Sequence, residues 1–118
     1  MREPPAIEAF GGGGFRVAGV WRPGPLLIVA DTPANWRPRA PDDVAIEDFA
    51  AVLALPKGEA EFVLLGTGLA QALPGRTIRD GLRAAGLGFE FMATEAAVRM
   101  HNVLASEGRL FATAMIAI

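Results

Sequence analysis

Residues 88–118 read GFEFM, ATEAAVRMHNVLASEG and RLFATAMIAI, and these three segments decide the fold. The first is short, aromatic and bounded by glycine, which predicts a strand over residues 88–92. Thr94 then opens a run with apolar side chains at helical spacing, which predicts a helix over residues 94–107 that ends at Gly108. The last segment is apolar and predicts a strand over residues 110–116. A strand, a helix and a strand in succession are typical of an α/β domain.

The upstream residues extend the same pattern. Residues 15–21 and 26–30 are apolar runs joined by a Pro-Gly-Pro turn, which predicts an N-terminal antiparallel hairpin. Residues 31–43 are rich in proline and predict a surface loop pinned by Trp36. The pattern continues with a helix over residues 45–55, a strand over residues 61–65 and a helix over residues 76–85. The sequence therefore predicts one α/β domain over residues 1–118, with a largely parallel centre and the hairpin at one side.

Composition limits the functions that the chain can have. The 118 residues are 52% hydrophobic and carry a formal net charge of −2, so no strong overall charge attracts nucleic acid or an anionic membrane. Cysteine is absent, which excludes disulfides, thiolate metal sites and cysteine nucleophiles. His101 is the single histidine, which excludes a mononuclear metal site built on several imidazoles of one chain. No apolar run approaches the ~20 residues that span a bilayer, and no secretory signal is visible. We expect a soluble, cytoplasmic protein without a metal site or membrane insertion.

Three polar or flexible residues, Gly66, Thr67 and Gly68, follow a predicted strand at the place where a dinucleotide-binding fingerprint would begin. Gln71 stands where that fingerprint needs its third glycine. A tight turn with positive φ is therefore the simpler interpretation, and binding of an anion or small ligand is the alternative. Thr94 is explained in a similar way as a helix cap. If the two preceding strands are neighbours, both loops line one crevice at the carboxyl ends of the sheet, where ligands bind in parallel α/β folds.

A polar stripe runs along the predicted helix that Thr94 opens. It consists of Glu95, Arg99, Asn102 and Ser106. The ordinary interpretation is a solvated helix face, and the alternative is that Arg99 and Asn102 border a groove that recognises a partner. His101 lies towards the apolar side of this helix, where we expect a structural residue rather than a catalyst.

No other pattern indicates a reaction. Arg76, Arg79 and Arg83 line one face of the preceding helix and could contact phosphates, but a solvated face is the better interpretation in an acidic chain without interleaved aromatic residues. The carboxylates are scattered, and no spacing indicates a pair of catalytic acids. We expect a protein that is not an enzyme and has no cofactor.

The sequence around the last predicted helix resembles a small family of unknown biochemical function. The residues that carry the resemblance are Met92, Thr94, Ala97, Asn102, Leu104, Glu107, Gly108 and Arg109. The family includes bacterial and archaeal proteins, the mitochondrial assembly factors of respiratory complex I and the adipogenesis-associated Mth-domain proteins. Residues 10–19 and 64–68 are similar to its opening hairpin and its central strand and turn. The resemblance implies an α/β three-layer sandwich around a mixed, largely parallel five-stranded sheet with an N-terminal antiparallel hairpin, and it implies no established cofactor or reaction.

Two positions depart from the pattern of this family. Ala93 stands where the family often has Asp, and His101 stands where it often has an aromatic residue. If that Asp were a catalytic acid in the relatives, this chain would lack it. The departure weakens any transfer of enzymatic activity to this chain.

Two classes of function follow from these observations. The first is a non-enzymatic interaction or assembly-type module with an unknown protein partner, as the resemblance to assembly factors implies; a homodimer is a further expectation, because exposed apolar edges tend to pair. The alternative is a small-ligand-binding protein or minor enzyme that uses the crevice between residues 66–68 and Thr94, with Arg99 or Asn102 at its rim. Nucleic-acid binding is the weakest hypothesis.

Overall fold

The computed structural model describes residues 3–118, which form two β-sheets and three α-helices. An antiparallel sheet contains β1 (Ile7–Gly11), β2 (Gly14–Val17) and β3 (Val20–Pro23). A mixed sheet contains β4 (Leu26–Val29), β5 (Thr32–Asn35), β6 (Phe62–Gly66), β7 (Gly88–Met92) and β8 (Phe111–Met115). The α-helices are α1 (Ala50–Leu53), α2 (Arg76–Ala84) and α3 (Thr94–Ser106), and two 3-10 helices cover Pro41–Asp43 and Ile46–Phe49.

The predicted N-terminal hairpin is wrong in its pairing. Val17 pairs with Val20 across a two-residue turn, so two strands replace the single strand expected over residues 15–21. Both turn residues have positive φ, 50° at Ala18 and 77° at Gly19, a geometry that matches the twist of paired strands. The following apolar run forms β4, which belongs to the other sheet and pairs with β5 and β8. Alanine is an unusual residue for the first position of such a turn, so the local pattern does not indicate a turn here.

The five strands of the mixed sheet lie in the order β5-β4-β8-β6-β7. β6 runs parallel to β7 and β8, whereas β4 is antiparallel to β5 and β8. The predicted mixed five-stranded sheet is therefore confirmed, but it has two parallel and two antiparallel pairings, one antiparallel pairing more than expected. The reason is β5, which lies inside the region predicted as a loop and accommodates Pro33 because it is an edge strand.

The last third of the chain folds as the sequence predicts. β7, α3 and β8 agree with the predicted elements to within one residue at each end. Gly108 follows α3 with a φ of 69°, the left-handed conformation expected of a residue that ends a helix. The predicted helix over residues 45–55 is different, because the 3-10 turn Ile46–Phe49 leads into the single turn α1.

Buried apolar side chains cover both faces of the five-stranded sheet. Leu26 and Ile28 of β4 belong to one apolar cluster and Leu27 to the other, because neighbouring residues of a strand point to opposite faces. The first cluster includes side chains of α3 and of the three-stranded sheet, and the second includes side chains of α1 and α2. β8 lies between β4 and β6 and is buried along its whole length. The three-layer arrangement stays a prediction.

The proline-rich segment between β5 and α1 is fixed by two kinds of contact. Trp36 is 7% exposed, and its Nε1–H donates to the carbonyl of Asp48 at 2.9 Å, so the predicted anchoring by Trp36 is confirmed. Arg37 bonds the carboxylates of Asp48 at 2.6 Å and Asp43 at 3.0 Å. These bonds to Arg37 hold the pKa of each carboxyl below its usual value. Because Arg37 is exposed, these ion pairs contribute little to the free energy of folding, and we infer that they fix the geometry of the loop.

Candidate functional site

The two loops singled out in the sequence meet at one end of the sheet. β6 and β7 are parallel neighbours, and Gly66 at the end of β6 pairs with Met92 at the end of β7. Gly66 also pairs with Met115 of β8 on its other side. The carboxyl ends of three parallel strands therefore lie side by side, and the loops after β6 and β7 are in contact. The structure brings Gly66, Thr67, Gly68 and Thr94 together as the sequence predicted.

The hydroxyl of Thr94 joins three segments of the chain. Thr94 is fully buried; its Oγ1 donates to the carbonyl of Ile116 at 2.7 Å and accepts from the Gly68 N–H at 2.9 Å. The backbone N–H of Thr94 also donates to the Gly68 carbonyl at 2.8 Å. The residue at the cap position is Ala93, without a side-chain cap bond, so the prediction that the Thr94 hydroxyl caps the helix is wrong. The hydroxyl reaches neighbouring loops instead, because Thr94 is already inside the first turn.

The hydroxyl of Thr67 organises the loop that follows β6. Its Oγ1 donates to the Ala70 carbonyl at 2.7 Å and accepts from the Ala72 N–H at 3.1 Å. The Thr67 N–H donates to the Met92 carbonyl at 2.8 Å, which continues the β6–β7 pairing by one more bond. Thr67 is 1% exposed. The polar atoms of Thr67 and Thr94 are thus engaged inside the protein.

The two glycines of the motif meet different demands. Gly68 has a φ of +102°, which confirms the predicted turn with positive φ. Gly66 leaves no room for a side chain, because a Cβ there would lie 2.6 Å from the Met115 sulfur and 2.9 Å from the Thr94 hydroxyl oxygen. The close approach of Thr94 to the sheet therefore depends on Gly66. Ligand binding in this crevice stays a prediction.

Arg99 and Asn102 form their side-chain bonds with residues outside these loops. Arg99 forms an exposed ion pair with Glu95, with 3.1 Å between Nη2 and Oε1. Asn102 accepts from the Ile7 N–H through Oδ1 at 2.8 Å and donates to the Ile7 carbonyl through Nδ2 at 3.0 Å. Its side chain therefore pairs with the first residue of β1 as a neighbouring strand would. The structure gives Asn102 a structural contact that its position on a polar stripe did not indicate.

His101 is a buried structural residue, as the sequence predicted. Its Nε2 lies 2.7 Å from the Pro5 carbonyl, and its Nδ1 lies 2.7 Å from the Thr113 hydroxyl. Because a carbonyl can only accept, we assign the proton of the neutral ring to Nε2, which leaves Nδ1 to accept from Thr113. The ring also contacts Phe111 edge-on at 5.3 Å between centroids. Burial lowers the pKa of His101.

The sequence interpretation missed an exposed apolar loop beside this cluster. Leu69 is 88% exposed and Leu73 is 64% exposed. We call residues 69–73 the leucine loop; it continues directly from Gly68. A shallow depression of about 340 Å³ adjoins it, lined in part by Pro41, Ala72 and Ile118. The signal was present in the sequence, because a loop bounded by Gly68 and Pro74 contains two leucines where polar residues are usual.

A membrane-spanning helix and a cluster of metal ligands are both absent from the described part of the chain. Between residues 3 and 118, no helix combines the length and apolar character needed to cross a membrane. Over the same residues, no group of three or more histidine or carboxylate side chains is placed to hold a metal ion.

Comparison with known proteins identifies the family of this chain. The model of a protein family described as "protein of unknown function (DUF498/DUF598)" matches residues 7–116. An uncharacterised protein of Rhodobacter capsulatus is 36% identical over 110 residues, which cover 93% of this chain and 82% of that protein. A Bartonella henselae structure, described as an outer membrane protein, is 31% identical with a TM-score of 0.88 over 98% of this chain and 96% of that chain. A Mth938-like domain of Bordetella pertussis is 25% identical with a TM-score of 0.79, over 96% and 85%. The chain therefore belongs to the DUF498/DUF598 family and has the mixed α/β fold of its Mth938-like structural neighbours.

Proposed function

We propose that this protein is a non-enzymatic interaction module that binds a partner protein through the leucine loop. The observation that carries the proposal is the exposure of Leu69 and Leu73, 88% and 64%, on one loop. Single exposed leucines are common on protein surfaces, whereas neighbouring exposed apolar side chains are typical of contact sites. Burial of one leucine side chain contributes about 1.5–3 kcal/mol, so this pair could supply much of the affinity of a transient complex.

The rigidity of the loop supports the same proposal. Thr67 bonds the loop backbone at Ala70 and Ala72, and the Gln71 side chain donates to the Phe91 carbonyl at 3.4 Å. A loop that is already ordered loses little conformational entropy when a partner binds. The two leucines are therefore presented on a fixed backbone rather than on a mobile one.

The absence of a free catalytic group among the candidate residues supports a non-enzymatic role. The hydroxyls of Thr67 and Thr94 each donate to a backbone carbonyl and accept from a backbone N–H. Both residues are buried, so these hydroxyls serve the fold and are not accessible to a substrate. An assembly-type role in the cytoplasm, which the sequence resemblance implies, is part of the proposal.

The test is affinity capture from the cells that make the protein, with three forms of the chain compared. We expect wild type to recover a specific partner and the double variant Leu69→Ser, Leu73→Ser to lose it. Leu53→Ser is the matched control, because Leu53 is 37% exposed and lies on α1, outside the loop. Recovery of the same partner by the double variant, or of no specific partner by any form, would contradict the proposal.

A small-ligand-binding role is the second candidate, and the depression beside Gly68 favours it. Its volume of about 340 Å³ is near the lower limit of ordinary ligand sites. A thermal-shift screen against metabolites tests it, since a ligand that binds the folded state raises the melting temperature as its concentration increases. A hit should lose its effect when Ala72 is changed to Phe, which narrows the depression. A screen without any concentration-dependent shift would exclude this candidate.

A further inference from the structure

The outer edge of β7 has backbone groups without a strand partner. Within residues 3–118, β7 pairs with β6 alone and ends the five-stranded sheet. Gly88 donates to the Glu61 carbonyl, and the Met92 carbonyl accepts from Thr67, so residues 88, 90 and 92 direct their backbone groups towards β6. Because backbone groups alternate along a strand, those of Phe89 and Phe91 point away from the sheet. The Gln71 amide, which reaches the Phe91 carbonyl at 3.4 Å, approaches from this outer side.

The side chains of β7 differ between its two faces. Phe89 and Phe91 lie on the face that carries α2; they are half-buried, and their rings stack at 5.9 Å between centroids. Glu90 pairs with Leu64 and lies on the opposite face, the one that carries α3. A strand added at this edge would therefore meet aromatic rings on one face and a carboxylate on the other.

A groove of about 490 Å³ lies beside β7 on the α3 side. Apolar side chains of Phe62, Met100 and Leu104 line it, together with two carboxylates, Glu61 and Glu90. Neither carboxylate forms an ion pair with any residue of the described chain. The one cation in the lining is Arg109, whose guanidinium carbon lies 5.5 Å from the centroid of the Phe62 ring. The groove therefore combines an apolar floor with a surplus of negative charge.

This arrangement opposes pairing of β7 with a second copy of itself. If Phe89 of one copy paired with Phe91 of the other in an antiparallel register, Glu90 would lie opposite Glu90 of the other copy. Like charges directly opposite each other destabilise a strand pair. Charges on edge strands are a common means by which proteins avoid self-association.

We propose that β7 accepts an extended segment of a partner protein as a sixth strand. The segment alternates basic and apolar residues: a Lys or Arg side chain lies in the groove with its stem on Phe62 and its charge near Glu90, and apolar side chains pack beside Phe89 and Phe91. The inference rests on the proposed function, because it describes how the interaction module holds its partner. Gln71 belongs to the leucine loop and contacts Phe91, so the loop and the edge form one continuous surface.

The test uses two synthetic nine-residue peptides, one alternating Val and Lys and one alternating Val and Glu. We expect the Val–Lys peptide to bind and to slow hydrogen exchange at the Phe89 and Phe91 amides, which have no acceptor within the sheet. The Val–Glu peptide should bind roughly tenfold more weakly, as expected when opposite charges are replaced by like charges. Glu90→Lys should reverse the preference, and Glu95→Lys, an equal change of charge at an exposed site on α3, should keep it.

Several results would overturn the inference. Equal affinity for the two peptides, or protection that does not include β7, would each do so. A wild-type dimer in sedimentation, with Phe89 and Phe91 protected in hydrogen exchange, would do so as well. In the capture experiment, a partner that is lost with the double leucine variant but kept with Glu90→Lys would preserve the proposed function and reject the added strand. Loss of the partner with both variants is the outcome that we expect.

Discussion

Replacement of Thr94 by Val tests whether its hydroxyl is a structural group. Valine has nearly the same shape, so the change removes the hydroxyl without leaving a large cavity. The Gly68 N–H and the Ile116 carbonyl, which now bond Oγ1 at 2.9 Å and 2.7 Å, would lose a partner in a buried environment. A buried polar group left unsatisfied costs about 1–3 kcal/mol, and two such groups are partly offset because valine has no hydroxyl to desolvate. We therefore expect Thr94→Val to lower the free energy of unfolding by about 2–4 kcal/mol.

Thr94→Ser is the matched control, because it keeps both hydrogen bonds and removes one methyl group. We expect it to cost about 1 kcal/mol, so the order of stability should be wild type, then Ser, then Val. Urea unfolding with a constant m-value measures the difference, and the melting temperature of Thr94→Val should fall by roughly 8–16 °C in a domain of this size. A valine variant within 0.5 kcal/mol of wild type, or more stable than the serine variant, would refute the reasoning.

Three further predictions concern Asn102 with Arg99 as its control, His101, and Gly66. Asn102→Ala should lower the free energy of unfolding by about 1–3 kcal/mol and speed hydrogen exchange at the Ile7 amide. Arg99→Ala should change the free energy of unfolding by less than ~0.5 kcal/mol, because its ion pair is exposed. Equal effects of the two variants would contradict both assignments. Because burial lowers the pKa of His101 in the fold while the unfolded chain takes up the proton near pH ~6.5, stability should fall as the pH drops below that value. Urea midpoints between pH ~8 and ~5 check this, and a midpoint that rises towards low pH would exclude it. Gly66→Ala should cost more than ~1 kcal/mol by overpacking, as measured by calorimetry, and a neutral result would show that its neighbours move aside.

The sequence predicts those elements whose signal is local. α3 has apolar residues at helical spacing, a polar stripe and Gly108 at its end, and these features lie within the helix itself. The hairpin turns contain residues with positive φ at Ala18, Ala30 and Asp31. Two of these residues are alanines, and alanine has no preference for turns, so the turns could not be predicted. Once the turn at Ala18 is missed, the strand pairing that depends on it is missed as well.

The candidate site was predictable in its location but not in its bonds. Strands that alternate with helices place the ends of β6 and β7 side by side, which is a property of topology. The bonds of Thr94 to Gly68 and of Asn102 to Ile7 join residues separated by 26 and 95 positions. No local pattern specifies such a distant partner, so a threonine at a helix start was interpreted as a cap and an asparagine on a polar stripe as part of a solvated face.

The edge of β7 shows how one residue can meet two opposite demands. An edge strand needs a device that prevents association with a second copy, and a strand that recruits a partner needs its backbone groups to stay accessible. A proline or a bulge would satisfy the first demand but would remove the second. A charge such as that of Glu90 satisfies both, because it repels an identical strand and attracts a basic one. The discrimination then depends on the sign of one side chain, which is why Glu90→Lys should change the preferred partner rather than abolish pairing.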